Sequence, residues 1–453
     1  MKIENDLGKD NIRSLVIRIA VPSMLAQFVN VLYSVVDRMY IGNIEGIGPA
    51  ALAGVGVCGP IVTMITAFAS MVGIGGSPLM SIRMGEGNTK AAKQILANCF
   101  FMLSVISVVI TILALGMKDN LLRWFGASEA IFPYANDYIT IYLLGTIFAL
   151  MAIGMNQFII CQGFAKVAMF SVILGAVINI VLDPVFIFAF DMGVRGAALA
   201  TIISQFASCF FVLLFLFGKK VPIRITFGGY EWRVMKRIIL IGLTPFLIIA
   251  FDNVLIITTN ASIQHFGGAE GDKLLTCVTI VQSVMLMVTM PLGGISGGTQ
   301  SILGYNFGAR QTKRVLEAQK YIFILSVTFT AVMFLISQTL PEYFVRIFTK
   351  DAEYVELTAW AIRVFTLGLI PLAAQYVVVD GFTGMGVAHI AIFLSMFRKA
   401  VYLAGVLLLP YFFSATAIFY TEALSDFVGT AMSAVVYALT IKKVLGRRES
   451  GQL

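Results

Sequence analysis

The chain has 453 residues, 59% of them hydrophobic and 12% charged, with a net charge of +8 and a mean hydropathy of +0.91. Soluble domains carry roughly 25% charged residues, so this composition excludes a water-soluble protein and predicts a polytopic membrane protein. Apolar runs of about 20 residues suit helices crossing a core of roughly 30 Å, not the short alternating strands of a barrel.

Residues 1–18 are polar and charged and carry no apolar run with a small-residue cleavage site, so the first helix is expected to be an uncleaved anchor. Apolar runs between charge and turn clusters predict twelve spans, at 14–42, 50–82, 92–116, 132–161, 166–190, 194–218, 237–265, 273–306, 315–340, 354–386, 388–413 and 415–441. Residues 219–236 are the one substantial polar connector. The expected fold is all-α integral membrane: twelve transmembrane helices in two pseudo-symmetric six-helix bundles around a central cavity. The N-terminal lobe is 1–218, the cytoplasmic connector 219–236 and the C-terminal lobe 237–453. Cys58, Cys99, Cys161, Cys209 and Cys277 sit in or beside apolar runs with no CxxC pair, so they read as small core residues.

With the N-terminus inside, the inner segments hold 24 of the 32 Lys and Arg, including Arg398 and Lys399. The outer segments hold six (Lys118, Arg123, Arg195, Lys273, Arg346 and Lys350), and Arg38 and Arg363 fall in helices. This bias places both termini in the cytoplasm. It also accounts for the net positive charge without invoking nucleic acid.

The halves repeat. A shift of 223 residues pairs Pro22 with Pro245, Asn30-Val31-Leu32 with Asn253-Val254-Leu255, Gly75 with Gly298, Gly85 with Gly308, and Thr89-Lys90 with Thr312-Lys313. An even number of spans per half gives the repeats one orientation, related by an axis along the membrane normal. Such paired bundles rock about a central cavity to alternate access. Asp37 pairs with Asn260, so the acid is present in one half only.

That acid closes a polar stripe. At about 100° per residue, Ser23, Gln27, Asn30, Ser34 and Asp37 share a sector of roughly 80° on an otherwise apolar helix. A lipid-facing Asp costs about 2.5–3.5 kcal/mol at the bilayer centre, so the stripe predicts a water-filled cavity. Tyr33 and Tyr40 flank it and could stack on an organic cation, worth about 0.5–2 kcal/mol. In the fifth span Asn179 and Asp183 lie four apart on one face, and Pro184 is expected to bend the helix beside the carboxylate. Small residues opening the sixth span allow close packing, so that Thr201 could reach this face. Two carboxylates, an amide and a hydroxyl make a hard oxygen site for a monovalent cation. A carboxylate pair also suits proton uptake and release. Asp252, Asn253, Asp380, Glu422 and Asp426 are expected to line the C-terminal side of the cavity and attract a cationic substrate.

These residues resemble the multidrug and toxic compound extrusion (MATE) transporters. The match is carried by Pro22–Asp37, Met84-Gly85-Glu86-Gly87-Asn88, Asn179-Ile180-Val181-Leu182-Asp183-Pro184, Gly193 through Thr201, and the second-half turn Asn306-Phe307-Gly308-Ala309-Arg310. The resemblance implies two six-helix lobes around a V-shaped cavity in a prokaryotic plasma membrane, exporting amphipathic, often cationic drugs in exchange for Na⁺ or H⁺. It implies coupling at Asp37, Asn179, Asp183 and Thr201, with Asn156 nearby. Small organic cations or drugs and membrane lipids are the expected partners, no further cofactor is expected, and a monomer is the simplest assembly. No nucleotide-binding GxxxxGK[ST] string is present, and the context of an intramembrane aspartyl protease is missing. The closest rival is a lipid-linked oligosaccharide flippase of the same exporter superfamily, which the mainly acidic embedded charges disfavour.

Overall fold

The computed structural model describes residues 5–346 and 351–451, so Lys2 and Lys350 of the charge tally lie outside the described residues. The first lobe contains α1 (Ile12–Gly42), α2 (Gly48–Gly85), α3 (Thr89–Trp124), α4 (Phe132–Leu144), α5 (Thr146–Ile160), α6 (Ala165–Pro184) and α7 (Gly193–Phe217). The second contains α8 (Trp232–Gly267), α9 (Gly271–Gly298), α10 (Gln300–Gly308), α11 (Thr312–Thr339), α12 (Pro341–Val345), α13 (Ala352–Phe365), α14 (Leu369–Gly384), α15 (Ala388–Phe412) and α16 (Tyr420–Glu449). No strand occurs among the described residues. Eleven helical stretches are long and apolar enough to cross a membrane, and the bent pair α4–α5 makes a twelfth.

Hydropathy locates the spans but not their breaks. The fourth span bends by 58° at Gly145, where a side chain would collide with Ile202 of α7. Glycine removes that obstacle and weakens the helix at the same point. The tenth span breaks at a tight turn, Thr366–Gly368, with Gly368 pressed against Asp426 of α16. Beyond Pro184 the helix continues as a wider π turn, Val185–Ala189. The proline has no N–H to give and its ring crowds the preceding turn, so the expected distortion falls directly after Asp183.

Three cores hold the bundle. One runs from Ile41 to Ile241 and fills the first lobe; another, from Leu255 to Phe419, fills the second. A third joins Leu15, Val16, Ile19 and Ala20 of α1 to Ile302, Phe307, Val315 and Phe382 across the lobes. The seam is therefore confined to the end carrying both termini. There α1 crosses α9 with Gly294 against the Ser23 backbone, and α2 crosses α8 with Gly242 against Met71. Nearest the terminal end, Gly85 abuts the Tyr305 carbonyl and Gly308 abuts the Ile82 carbonyl. Under the 223-residue shift Gly85 is Gly308 and Ile82 is Tyr305, so the contact is reciprocal about the pseudo-two-fold axis. A methyl group at either glycine would overlap backbone that has nowhere to move.

Side chains lock the same end. Arg448 Nη2 donates to Glu86 Oε1 at 2.5 Å and to Gly308 O at 3.0 Å, and its Nε to Phe307 O at 3.0 Å. The segment ahead of α1 straps the lobes together. Asn5 Nδ2 donates to Gly163 O at 2.7 Å, Asn306 Nδ2 to Leu7 O at 2.9 Å and Arg314 Nη2 to Asp10 O at 2.9 Å. The polar connector is anchored too: Val221, Ile223 and Ile225 are buried in the first-lobe core, and Ile223 N donates to Gln162 Oε1 at 2.8 Å.

Candidate functional site

Helices α1 and α6 face one another in the first lobe, and each carries one of the acids picked out above. The Asp37 and Asp183 carboxyl groups lie within hydrogen-bonding reach of each other. Asn179 Nδ2 donates to Asp183 Oδ1 at 3.3 Å across one turn of α6. Tyr33, one turn before Asp37, is close to both acids. Arg38, the adjacent cation, forms no ion pair among the described contacts and acts on Asp37 only through its field.

The donor set fits a small cation or a proton. Asp37 Oδ1, Asn179 Oδ1 and Asp183 Oδ2 are buried and accept no hydrogen bond. Such acceptors are costly unless something positive reaches them. Unscreened, two carboxylates about 4 Å apart repel by about 4 kcal/mol at an effective dielectric of 20. A proton or monovalent ion placed between them would remove that repulsion.

Thr201 of α7 is buried, but its hydroxyl donates to Ala197 O of its own helix at 3.0 Å and not to the Asn179–Asp183 pair. Three residues that sequence reasoning missed complete the surroundings. Tyr138 of α4 lies near Asp37 and Tyr33. Tyr142 stacks on Tyr138 with ring centroids 6.2 Å apart and bonds Gln205 of α7. Gln205 Oε1 is another buried acceptor without a donor. The available signals were the four-residue spacings of Tyr138 with Tyr142 and of Thr201 with Gln205.

The remaining first-lobe candidates lie elsewhere. Gln27 and Asn156 line a cavity of about 110 Å³ just above the seam, together with Ser23, Gln157 and Gln300. Asn30 Nδ2 donates weakly to Gln27 Oε1 at 3.4 Å. Asn156 Oδ1 accepts from Ser171 at 3.1 Å. Tyr40 packs edge-on against Phe188.

The second lobe corrects one expectation. Arg398 and Lys399, counted with the inner segments although inside the expected 388–413 span, lie about 15 Å along α15, which takes two from the inner count of 24. Arg398 donates to Asp426 Oδ1 at 2.9 and 2.6 Å and to Glu422 Oε1 at 2.5 Å, and Lys399 Nζ is hydrogen-bonded to Asp252. Three acids expected to attract substrate are thus already paired. Asp380 of α14 accepts from Ser296 and, at 3.0 Å, from Gln300 Nε2. Asn253 Nδ2 donates back to Ile249 O at 3.0 Å. Their partners lie 24, 28 and 147 residues away in sequence, so nothing local marks these cations as paired.

The MatE family model matches residues 22–185 and 249–406. The chain belongs to the MatE family. It is therefore a multi-span membrane transporter and not an enzyme. The multidrug export protein MepA of Staphylococcus haemolyticus is 22% identical over 427 residues, 93% of this chain and 92% of that protein. A multidrug resistance MATE transporter of the MOP superfamily, solved in an outward-facing conformation, superposes with a TM-score of 0.90 at 22% identity, covering 97% of this chain and 98% of its own. A MOP superfamily transporter from Pyrococcus furiosus superposes equally well, at 0.90 and 22% identity over the same shares. At this identity the MatE chain shares their fold.

Proposed function

We propose that this MatE protein is a secondary active antiporter exporting amphipathic organic cations from a prokaryotic cell in exchange for Na⁺ or H⁺, with both termini cytoplasmic. The observation that carries the reading is the Asp37–Asp183 pair: two carboxylates on facing membrane helices, each with a buried oxygen that accepts no hydrogen bond and neither in an ion pair among the described residues. The inward bias of Lys and Arg supports the orientation. The end closed by Gly85, Gly308 and Arg448 is then cytoplasmic, and this conformer opens outward. The name of the MepA relative supports a drug substrate.

Coupling follows from the electrostatics. With the site loaded, α1 is held against α6; emptied, the carboxylates push apart and α1 is free to reshape the cavity wall bearing Gln27, Asn30 and Tyr33. A coupling ion acts only through a difference in affinity between the two states, and the separation of the two acids supplies that difference.

The test uses proteoliposomes loaded with a fluorescent organic cation and given a Na⁺ gradient or a pH gradient separately. Wild-type export under one gradient identifies the ion. Export by Asp37→Asn and Asp183→Asn at the wild-type rate would sink the proposal.

A further inference from the structure

The two cations of α15 differ in how tightly they are held. Arg398 is clamped by two acids on α16, with its side chain 11% exposed and that of Asp426 fully buried. Lys399 faces the other way, toward Asp252 of α8, and the Asp252 side chain is 47% exposed against 13% for the lysine. A half-exposed carboxylate at this depth belongs to the aqueous side of the helix, since facing lipid is costly. Its position agrees. Helix α8 touches the first lobe at Ile238 and Gly242 and, a turn further on, through the Phe246–Phe68 ring contact at 5.0 Å. Asp252 lies about 9 Å further along the helix, away from the closed end. Tyr376 lies near Asp252 and Asp380 and reaches Gly293, which lines the central cavity.

We propose that Lys399 is a tethered internal cation that occupies Asp252 and must be displaced by the transported cation, making Lys399 a specificity-determining residue of the second lobe. The proposal rests on the cation-export reading above. An ammonium on a flexible four-carbon stem forms a point contact that water screens on its open side. A substrate carrying one positive charge and an aromatic body replaces that contact and adds apolar burial against Tyr376. The displaced lysine has somewhere to go. Glu422 and Asp426 bring two carboxylates to one guanidinium, and Asp426 already lies within the electrostatic reach of Lys399. Neutral and anionic compounds gain nothing from the exchange, so the site selects monovalent organic cations.

The experiment is ethidium binding, followed by fluorescence, to the full-length protein in lipid nanodiscs, with thermal melting recorded for each variant. Lys399→Met removes the competitor and is expected to tighten ethidium binding about two- to fivefold, the factor set by one exposed ion pair. Lys399→Gln offers a second neutral side chain should the methionine misfold. The gain is expected to disappear in Lys399→Met/Asp252→Asn and to be absent from Lys399→Arg. Wild-type binding that is unchanged or weakened in both neutral variants, with melting preserved, overturns the proposal and leaves the export reading standing. Failure of wild type and neutral variants alike to bind any monovalent organic cation overturns the export reading, and the proposal with it.

Discussion

The acids of the two lobes are handled in opposite ways. In the first, Asp37 and Asp183 face each other, each with one buried oxygen that accepts nothing and with no ion pair among the described residues. In the second, Glu422, Asp426 and Asp252 are each bonded to a guanidinium or an ammonium. The backbone architecture is repeated, so the difference lies in side chains: Asn260 stands where the repeat would place a second Asp37, and α15 supplies the cations. A lobe that carries its own counter-ions is held in one arrangement. A lobe that lacks them is, on the proposed function, the one that changes arrangement when an ion arrives.

The largest expected effect tests the holding half of that contrast. Arg398→Met strands two buried acids, which costs about 3–5 kcal/mol; thermal melting in detergent should fall by many degrees. A fall of only a degree or two would show that the second lobe does not depend on its internal pairing.

The switching half predicts the reverse pattern. Asp183→Asn and Asp37→Asn remove a repulsion and should leave melting unchanged or raised. Ion-driven export should fall by about 5- to 150-fold, the range of a 1–3 kcal/mol coupling free energy. A large loss of melting temperature would mean that the first-lobe acids are structural after all.

Forcing a side chain into the seam should bypass the switch. Gly85→Val overpacks the Tyr305 carbonyl at a cost of about 1–3 kcal/mol to the closed end. Spin labels on the exposed positions Lys90 and Lys313, symmetry mates in the repeat, should then report a wider separation. All five native cysteines are buried and so do not compete for the label.

The smallest effect concerns the latch over that seam. Partial burial pushes the Glu86 carboxyl up, and Arg448 and Arg83 outweigh it, holding the group below its usual 4.5. A carboxylate shifted down stabilises above its unfolded value and loses that contribution as pH falls through the folded one. Melting temperature should therefore decline modestly below about pH 4.5. Glu86→Gln should flatten that limb, by well under the 1 kcal/mol typical of an exposed pair.

Much of this was legible in one dimension. The spans followed from apolar length, the seam glycines from the 223-residue shift, and the α1–α6 pair from two acids on polar helical faces. The bends at Gly145 and at 366–368 were not, because hydropathy sums along a helix without registering direction. Arg398 and Lys399 read as an inner segment because a paired and an unpaired cation look alike until their distant carboxylates are placed. Tyr138, Tyr142 and Gln205 passed as ordinary filler, since an aromatic or amide shows its role only through the helix it meets. Asn5–Asp10, polar and ahead of the first span, gave no hint of strapping the lobes.

The reciprocal contact of Gly85 with Tyr305 and of Gly308 with Ile82 makes the closed end an isologous dimer interface folded into a single chain. Each half is both lock and key for the other. A change made once in the sequence is felt once, where in a true dimer it would be felt twice. The fused seam can therefore be tuned in half-steps, and one half can acquire Asp37 while its twin keeps Asn260.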